Sequence, residues 1–281
     1  MKRNTIMGAA ASALLLAGAV ATTTVAHATG DLGKRGAEYV SLGDSFVANG
    51  SFFDGRNPQS GCMQAADNVG RLVAKKMPGV SFADWACGGA DTEDFTKNTP
   101  MGPQIHGLSA KTKYVSISIG GNDESLFSGL IQDCVIGAFC TPQAEQAANA
   151  KLARLGPKLD GAYAAVRKAA PNAKVVVLEY LKIMPRSANG CFADVLMGQH
   201  GVDVANRTQA KLNETIGKEA AKAGFTVVNA QQPTGHDMCA ADGKRYVSFT
   251  GVGPKDEGIP IHPTIAGRKY TAALIANAFK A

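Results

Sequence analysis

After its first 28 residues the chain contains no hydrophobic run long enough to cross a bilayer. The apolar run at Ile6–Val20 is also short for a membrane span, follows two basic residues and precedes Ala26-His27-Ala28, which fits the A-x-A cleavage pattern. We therefore expect residues 1–28 to be a secretory signal peptide. The mature chain, residues 29–281, would then begin at Thr29, lack a transmembrane segment and be secreted to the extracellular medium.

Clusters of basic residues are absent as well. The formal net charge of +6 falls to +4 when Lys2 and Arg3 are removed, and the remaining Lys and Arg are scattered along the chain. This distribution lacks the electrostatic footprint of a nucleic-acid-binding protein. The sequence also has no internal repeat, low-complexity tract or linker, so the mature chain is predicted to be one domain. We expect it to be a monomer.

Metal-binding cysteine patterns are missing too. There is no C-x-x-C pair and no His at ligand spacing from a pair of cysteines, so we expect no metal site. We also expect no organic cofactor. An even number of cysteines behind an export signal instead favours disulfides, with Cys134 and Cys140 an easy local pair. The residues themselves leave the other pairings open. The six cysteines are Cys62, Cys87, Cys134, Cys140, Cys191 and Cys239.

The chain does contain an alternation of strand-like and helix-like segments. Strands are predicted at Tyr39–Leu42, Val80–Ala86, Lys113–Ile119, Val175–Leu178 and Phe225–Asn229. Helices are predicted at Gln64–Met77, at Gln143–Ala170 with a break at Gly156-Pro157, at Val204–Ala223 and at Thr264–Phe279. The alternation predicts an α/β fold of three layers, flavodoxin-like, with a mostly parallel five-stranded sheet and helices on both faces. Its ligand site would lie at the carboxyl ends of the strands, beside the first strand.

Four short stretches place small or polar residues where they can meet at that edge of the sheet. Three follow predicted strands and one precedes the last helix: Gly43-Asp44-Ser45, Cys87-Gly88-Gly89-Ala90-Asp91-Thr92, Gly120-Gly121-Asn122-Asp123 and Ile259-Pro260-Ile261-His262-Pro263. Acyl transfer needs a nucleophile, a base and fixed donors for the developing oxyanion. Ser45 can supply the hydroxyl and one backbone N–H, Gly89 a second N–H, and Asn122 an amide. His262 is a suitable base near neutral pH.

Each of these stretches also has an ordinary structural interpretation. Gly43-Asp44-Ser45 and Gly88-Gly89 are typical of turns, and Asn122 or Asp123 could cap a helix. His262 could be a capping or buried structural histidine. Other histidines are rival bases that nothing local excludes, namely His106, His200 and His236.

Taken together, the four stretches resemble the conserved blocks of the SGNH hydrolases, also called the GDSL esterase and lipase family. Their order and wide spacing match over essentially the whole mature chain. The export signal, the six cysteines and the sequence Ala86-Cys87-Gly88-Gly89-Ala90 are similar, more narrowly, to the secreted actinomycete-type lipases and esterases. The fold expected for that family agrees with the α/β alternation read from the residues.

The resemblance implies a role for each block. Ser45 would be the nucleophile and the first oxyanion donor, Gly89 and Asn122 the other donors, and His262 the general base. In the secreted branch the cysteines pair in sequence order. This implies the pairs Cys62 with Cys87, Cys134 with Cys140 and Cys191 with Cys239.

The chain departs from the family pattern in two places. Phe46 stands where the first block usually has Leu, and Ile259 stands three residues before His262, where the family usually has Asp. A main-chain carbonyl can orient the histidine instead, as in relatives that work with a Ser-His dyad. We expect Ile259 or Pro260 to provide it, with Asp256 and Glu257 as the other candidates.

The sequence therefore predicts a secreted serine esterase or lipase that acts on a small-molecule or lipid ester through an acyl-enzyme on Ser45. The alternatives are an acyltransferase or polysaccharide deacetylase with the same site, and an inactive binding or adhesion protein on this scaffold. The acyl preference depends on loops after Ser45, after Asn122 and around Phe192–His200. The apolar side chains whose distance from Ser45 would decide this acyl preference are Phe52, Phe53, Leu126, Phe127 and Met197.

Overall fold

The computed structural model describes residues 35–51, 61–97, 99–136, 140–230, 232–251 and 258–281. The expected signal peptide lies outside the described residues, as do Phe52, Phe53, Asp256 and Glu257. None of the helices within these ranges is long and apolar enough to span a bilayer.

Five parallel strands form one sheet, and the first strand lies inside it. The strands are β1 (Tyr39–Gly43), β2 (Phe82–Asp84), β3 (Tyr114–Ser118), β4 (Lys174–Leu178) and β5 (Thr226–Val228), in the order β2-β1-β3-β4-β5. Because β1 has β2 on one side and β3 on the other, the direction of the connections reverses there. This is the switch point at which ligands bind in open α/β sheets, as predicted.

Helices surround the sheet and confirm the predicted three-layer α/β fold. They are α1 (Ser45–Ala48), α2 (Val69–Ala74), α3 (Leu126–Ile131), α4 (Pro142–Ala169), α5 (Phe192–Lys222) and α6 (Ile265–Lys280). Helix α2 packs against α6, and α4 packs against α5. Every residue of β1 is buried, which is expected for a central parallel strand covered on both sides.

The second helix is shorter than its apolar spacing predicts. Asn68 caps α2 by accepting a 3.0 Å hydrogen bond from the backbone N–H of Arg71, so the helix begins after it rather than at Gln64. The side chain of Gln64 is buried and donates to the carbonyl oxygens of Asp84 (3.0 Å) and Ala86 (2.9 Å). Gln64 therefore holds the end of β2.

The predicted break at Gly156-Pro157 does not occur, because α4 continues through both residues. Proline removes the hydrogen bond to the carbonyl of Ala153. Both Ala153 and Pro157 are exposed, so water can hydrate that carbonyl, while Leu155 and Leu159 on the other face remain in the core.

The region expected to be a loop around Phe192–His200 is helical. Helix α5 begins at Phe192, twelve residues before its predicted start, with Cys191 as the N-cap. Gly198 interrupts it with a non-helical conformation (φ 63°, ψ 176°). The prediction missed this first segment because Gly198 and Gly201 are poor helix formers.

Candidate active site

The strand that precedes the candidate nucleophile ends in a glycine that cannot be replaced without a clash. Gly43 has a φ of +138°, and a Cβ atom there would lie 2.2 Å from the carbonyl oxygen of Ser118. Its N–H donates to Oε1 of Gln104 (2.8 Å), and its carbonyl accepts from Nε2 of Gln104 (2.9 Å). This clamp fixes the peptide just before Asp44 and Ser45.

The hydroxyl of Ser45 lies next to the imidazole of His262. Ser45 Oγ is 2.7 Å from His262 Nε2, and His262 Nδ1 is 2.9 Å from the carbonyl oxygen of Pro260. When Nδ1–H donates to that carbonyl, Nε2 carries the lone pair that can accept the proton of the serine. The structure thus brings together a serine, a histidine and a main-chain acceptor.

A residue in the left-handed backbone conformation lies between the carbonyl of Pro260 and the ring of His262. Ile261 has a φ of +66°, which is a strained conformation for a β-branched side chain. Its N–H donates to the carbonyl of Ser248 (3.0 Å), and the N–H of Ser248 donates to the carbonyl of His262 (2.8 Å). Strain of this kind persists where the surrounding contacts impose it.

A buried arginine anchors the other side of the histidine loop. Arg268, on α6, is fully buried, and its Nη1 donates to the carbonyl oxygen of Pro263 (2.8 Å). Its Nη2 pairs with the carboxylate of Asp67, which compensates the buried charge. The residue after His262 is therefore tied to α6. No local sequence pattern predicts this contact.

Burial favours the neutral form of His262. The half-buried imidazole loses water, which lowers the pKa of His262 below its ordinary value of 6.5, although the Pro260 carbonyl acts in the opposite direction. The ring of Phe46 lies 5.1 Å from the imidazole, centroid to centroid. A neutral imidazole near pH 7 is the form that can accept a proton.

Three potential hydrogen-bond donors lie on the turns that follow β1, β2 and β3. Among the described residues, the backbone N–H groups of Ser45 and Gly89 have no hydrogen-bond acceptor. Gly89 adopts a φ of +81°, which favours glycine. The amide of Asn122 makes no helix-capping bond and instead donates to the carbonyl of Ala90 (2.9 Å). This bond links the turn of Asn122 to the turn of Gly89.

The turn that carries Gly89 is tied to β1 and to a disulfide. The N–H of Cys87 donates to the carbonyl of Gly43 (3.0 Å), and the N–H of Gly88 donates to the carbonyl of Cys62 (2.8 Å). Disulfides join the pairs that the family resemblance implied: Cys62 with Cys87, Cys134 with Cys140 and Cys191 with Cys239.

Two buried carboxyl groups lie beside the candidate residues. Asp44 accepts the backbone N–H of Phe46 (2.9 Å) and the hydroxyl of Tyr180, and burial raises the pKa of Asp44 to about 7. Asp123 accepts the N–H (3.1 Å) and the hydroxyl (2.5 Å) of Thr92, and burial raises its pKa to about 6. Both carboxyl groups are used in tying turns together at the edge of the sheet.

The rival histidines lie elsewhere. His106 and His200 are exposed, and Nδ1 of His236 is 2.6 Å from the carbonyl oxygen of Lys244. His262 lines a cavity together with Ser45, and none of the other three does.

That cavity has a volume of about 210 Å³, and its walls are mainly apolar. Phe127 and Met197 line it, whereas Leu126 is buried and does not. The polar side chain of Gln209 is already engaged, since it accepts the N–H of Ile183 (3.1 Å) and donates to the carbonyl of Leu181. The apolar lining residues are Phe46, Phe127, Leu130, Ile131, Val135, Ile183, Met184, Met197, Ala205, Pro260 and Ile261.

A parallel α/β sheet with a serine–histidine pair and hydrogen-bond donors at its switch point is characteristic of hydrolases that act on acyl groups. Comparison with known proteins agrees. The profile of the GDSL-like Lipase/Acylhydrolase family matches residues 41–270. The chain belongs to this family and is a carboxylic ester hydrolase of the SGNH type.

Similar proteins come from Streptomyces. The chain is 30% identical to Lipase 2 of Streptomyces coelicolor, over 89% of this chain and 88% of that one. It is 31% identical to Lipase 1 of the same organism, over 95% and 96%. Among solved structures, the extracellular lipase from Streptomyces rimosus has a TM-score of 0.68 at 26% identity, covering 85% of this chain and 97% of that one. Phospholipase A1 from Streptomyces albidoflavus has a TM-score of 0.67 at 29% identity, covering 86% and 98%.

Proposed function

We propose that this protein is a secreted serine esterase or lipase that hydrolyses carboxylic esters through an acyl-enzyme on Ser45. The observation that carries the proposal is the 2.7 Å contact between Ser45 Oγ and His262 Nε2 at an apolar cavity. The alternative of an inactive binding protein is disfavoured, because the nucleophile, the base and the donors are all present in one arrangement.

The proposed reaction has two halves. His262 Nε2 takes the proton of Ser45 as Oγ attacks the ester carbonyl, and the N–H groups of Ser45 and Gly89 and the amide of Asn122 stabilise the oxyanion. The imidazolium then protonates the leaving alcohol as the ester C–O bond breaks. In the second half, water loses a proton to His262 and attacks the acyl-enzyme, and the released Ser45 oxygen takes that proton back.

The Pro260 carbonyl takes the place of an aspartate in this scheme. It holds the Nδ1–H tautomer of His262 through the 2.9 Å hydrogen bond, but it carries no full charge to stabilise the imidazolium. Of the two carbonyls predicted from the sequence, Pro260 fits this role. His262 Nδ1 contacts the carbonyl of Pro260, whereas the carbonyl of Ile259 accepts the backbone N–H of His262 (3.0 Å).

The apolar cavity is proposed to hold the acyl chain. Among the described residues that line it, the only ionisable side chains are those of Asp44 and His262, which belong to the site itself. Burial of methylene groups against such walls stabilises a longer acyl chain. This favours a hydrolase of aliphatic esters over a polysaccharide deacetylase, whose acetyl group needs little of this space.

Substituting Ala205 tests the acyl site. Ala205 lines the cavity from α5, so the Ala205→Leu side chain is expected to fill part of it. The kcat/KM for p-nitrophenyl esters of long acyl chains should fall by about tenfold, while that for p-nitrophenyl acetate should change by less than about twofold.

The matched control for this substitution is Ala221→Leu, at an exposed position of the same helix. This variant should keep the wild-type chain-length profile. Equal losses of activity for acetate and long-chain esters in Ala205→Leu would show that the acyl chain lies elsewhere.

Export is also part of the proposal. N-terminal sequencing of the protein recovered from culture medium is expected to begin at Thr29, because Ala26-His27-Ala28 provides the cleavage site. An intact Met1 on protein in the medium would contradict cleavage at this position.

A further inference from the structure

A single tyrosine hydroxyl joins the two segments that carry the nucleophile and the amide donor. Tyr180 lies two residues after the end of β4 and is fully buried. Its Oη accepts the backbone N–H of Gly121 (2.8 Å) and donates to the carboxylate of Asp44. Gly121 immediately precedes Asn122, and Asp44 immediately precedes Ser45.

We propose that Tyr180 is a positioning residue that sets the place of Asn122 relative to Ser45. It touches neither the substrate nor the reacting atoms. It affects the reaction only through its hydrogen-bond partners Gly121 and Asp44. The inference rests on the proposed function, in which Ser45 is the nucleophile and Asn122 an oxyanion donor.

The aromatic ring of Tyr180 contacts the same two segments. It packs edge-on against Phe46 (4.8 Å between centroids) and against Phe127 (5.3 Å). Phe46 follows the nucleophile, and Phe127 lies in the helix that follows Asn122; the N–H of Phe127 donates to the carbonyl of Gly121 (3.1 Å). Ring packing and hydrogen bonding therefore hold the two turns against one side chain.

The tyrosine itself is held by α5. The carboxamide of Asn213 accepts the N–H of Tyr180 (3.0 Å) and donates to its carbonyl (2.9 Å). Because the backbone of Tyr180 is held in this way, its hydroxyl has a fixed position relative to both turns. Without it, the buried N–H of Gly121 and one oxygen of Asp44 would lose the hydrogen bond that the structure gives them, so the turns would be expected to shift.

A double-mutant cycle between Tyr180 and Asn122 tests the proposal. Asn122→Ala removes one oxyanion donor and is expected to lower kcat by about 10²-fold or more. Tyr180→Phe should lower kcat by about tenfold, with the KM for p-nitrophenyl butyrate changed by less than about threefold, since the misplaced donor acts in the transition state. In the Asn122→Ala background, Tyr180→Phe should lower kcat by at most about threefold more, because the donor that Tyr180 positions is no longer present.

Tyr163 offers a matched control. It is also a fully buried tyrosine, it packs against Phe225 (5.5 Å), and its hydroxyl has no hydrogen-bond partner among the described residues. Tyr163→Phe is therefore expected to leave kcat unchanged in both backgrounds. Thermal unfolding of each variant shows how much folded protein is present in the assay.

A purely structural role would give a different result. If the losses from Tyr180→Phe and Asn122→Ala multiply, or if activity falls only in proportion to the folded fraction, the proposal is wrong. If Tyr180→Phe does not fold, Asp44→Ala removes the acceptor of the Tyr180 hydroxyl and must show the same non-additivity with Asn122→Ala. Independent losses in that cycle would equally overturn it.

The proposed function has its own separate test in Ser45→Ala. If Ser45→Ala is inactive while Tyr180→Phe keeps the wild-type kcat, only the role of Tyr180 fails. If Ser45→Ala remains active, the proposed mechanism itself fails, whatever the result for Tyr180.

Discussion

Replacing Ser45 with alanine is expected to lower kcat/KM for p-nitrophenyl butyrate by about 10⁴-fold or more while leaving the fold intact. The loss is large because the serine oxygen forms the covalent intermediate, and no other hydroxyl lies in the same contact with His262 among the described residues. The side chain of Ser45 is small and half-buried, so its removal should change the midpoint of thermal unfolding little.

The matched control is Ser187→Ala, at an exposed position away from the cavity. Its kcat/KM should remain within about twofold of wild type, as is usual for surface substitutions. Activity of Ser45→Ala comparable to that of the control would contradict the assignment of the nucleophile.

Replacing His262 with alanine is expected to lower kcat by about 10⁴-fold, because the serine then loses its general base. Removal of the carboxylates that precede His262 in the sequence should have little effect. Asp256→Asn and Glu257→Gln should each change kcat by only a few fold, since the Pro260 carbonyl already occupies Nδ1. The exposed His106 provides the histidine control, and His106→Ala should behave as wild type.

The pH profile gives an independent measurement of the same base. The reaction needs neutral His262, so kcat/KM should fall about tenfold per pH unit below the pKa of the free enzyme. Burial lowers the pKa of His262, which places this fall below its ordinary value of 6.5. A loss of several orders of magnitude in Asp256→Asn or Glu257→Gln, or an acidic fall centred above 6.5, would contradict a histidine oriented by a carbonyl alone.

The core of the sheet could be predicted from the sequence because short apolar segments typical of strands alternate along the chain with segments whose apolar residues have helical spacing. Strand β1 is buried along its whole length, as expected for a short apolar run in a parallel sheet that is covered on both faces. The start of α5 could not be predicted from the sequence, because its first segment depends on the Cys191 cap and on the turn at Gly198 rather than on apolar periodicity. Likewise, the exposure of Pro157, which allows α4 to continue, is a property of the packed structure.

The candidate site was predictable where chemistry depends on residue type and position at the end of a strand. Ser45 and Asn122 follow strands, and the structure places both at one cavity with His262. Tyr180 also follows a strand, but a buried aromatic residue there is typical of core packing, and its sequence context does not indicate which groups its hydroxyl contacts. The contact of Arg268 with Pro263 joins the last helix to the histidine loop, and no local pattern in the sequence indicates it.

Covalent labelling with a fluorophosphonate, followed by peptide mass spectrometry, tests the central claim most directly. The proposed site predicts one phosphonylated residue per chain, Ser45, and strongly reduced labelling in His262→Ala, because the hydroxyl must be activated by the imidazole. Labelling of a different residue, or failure of the folded wild-type protein to react, would contradict the proposed mechanism.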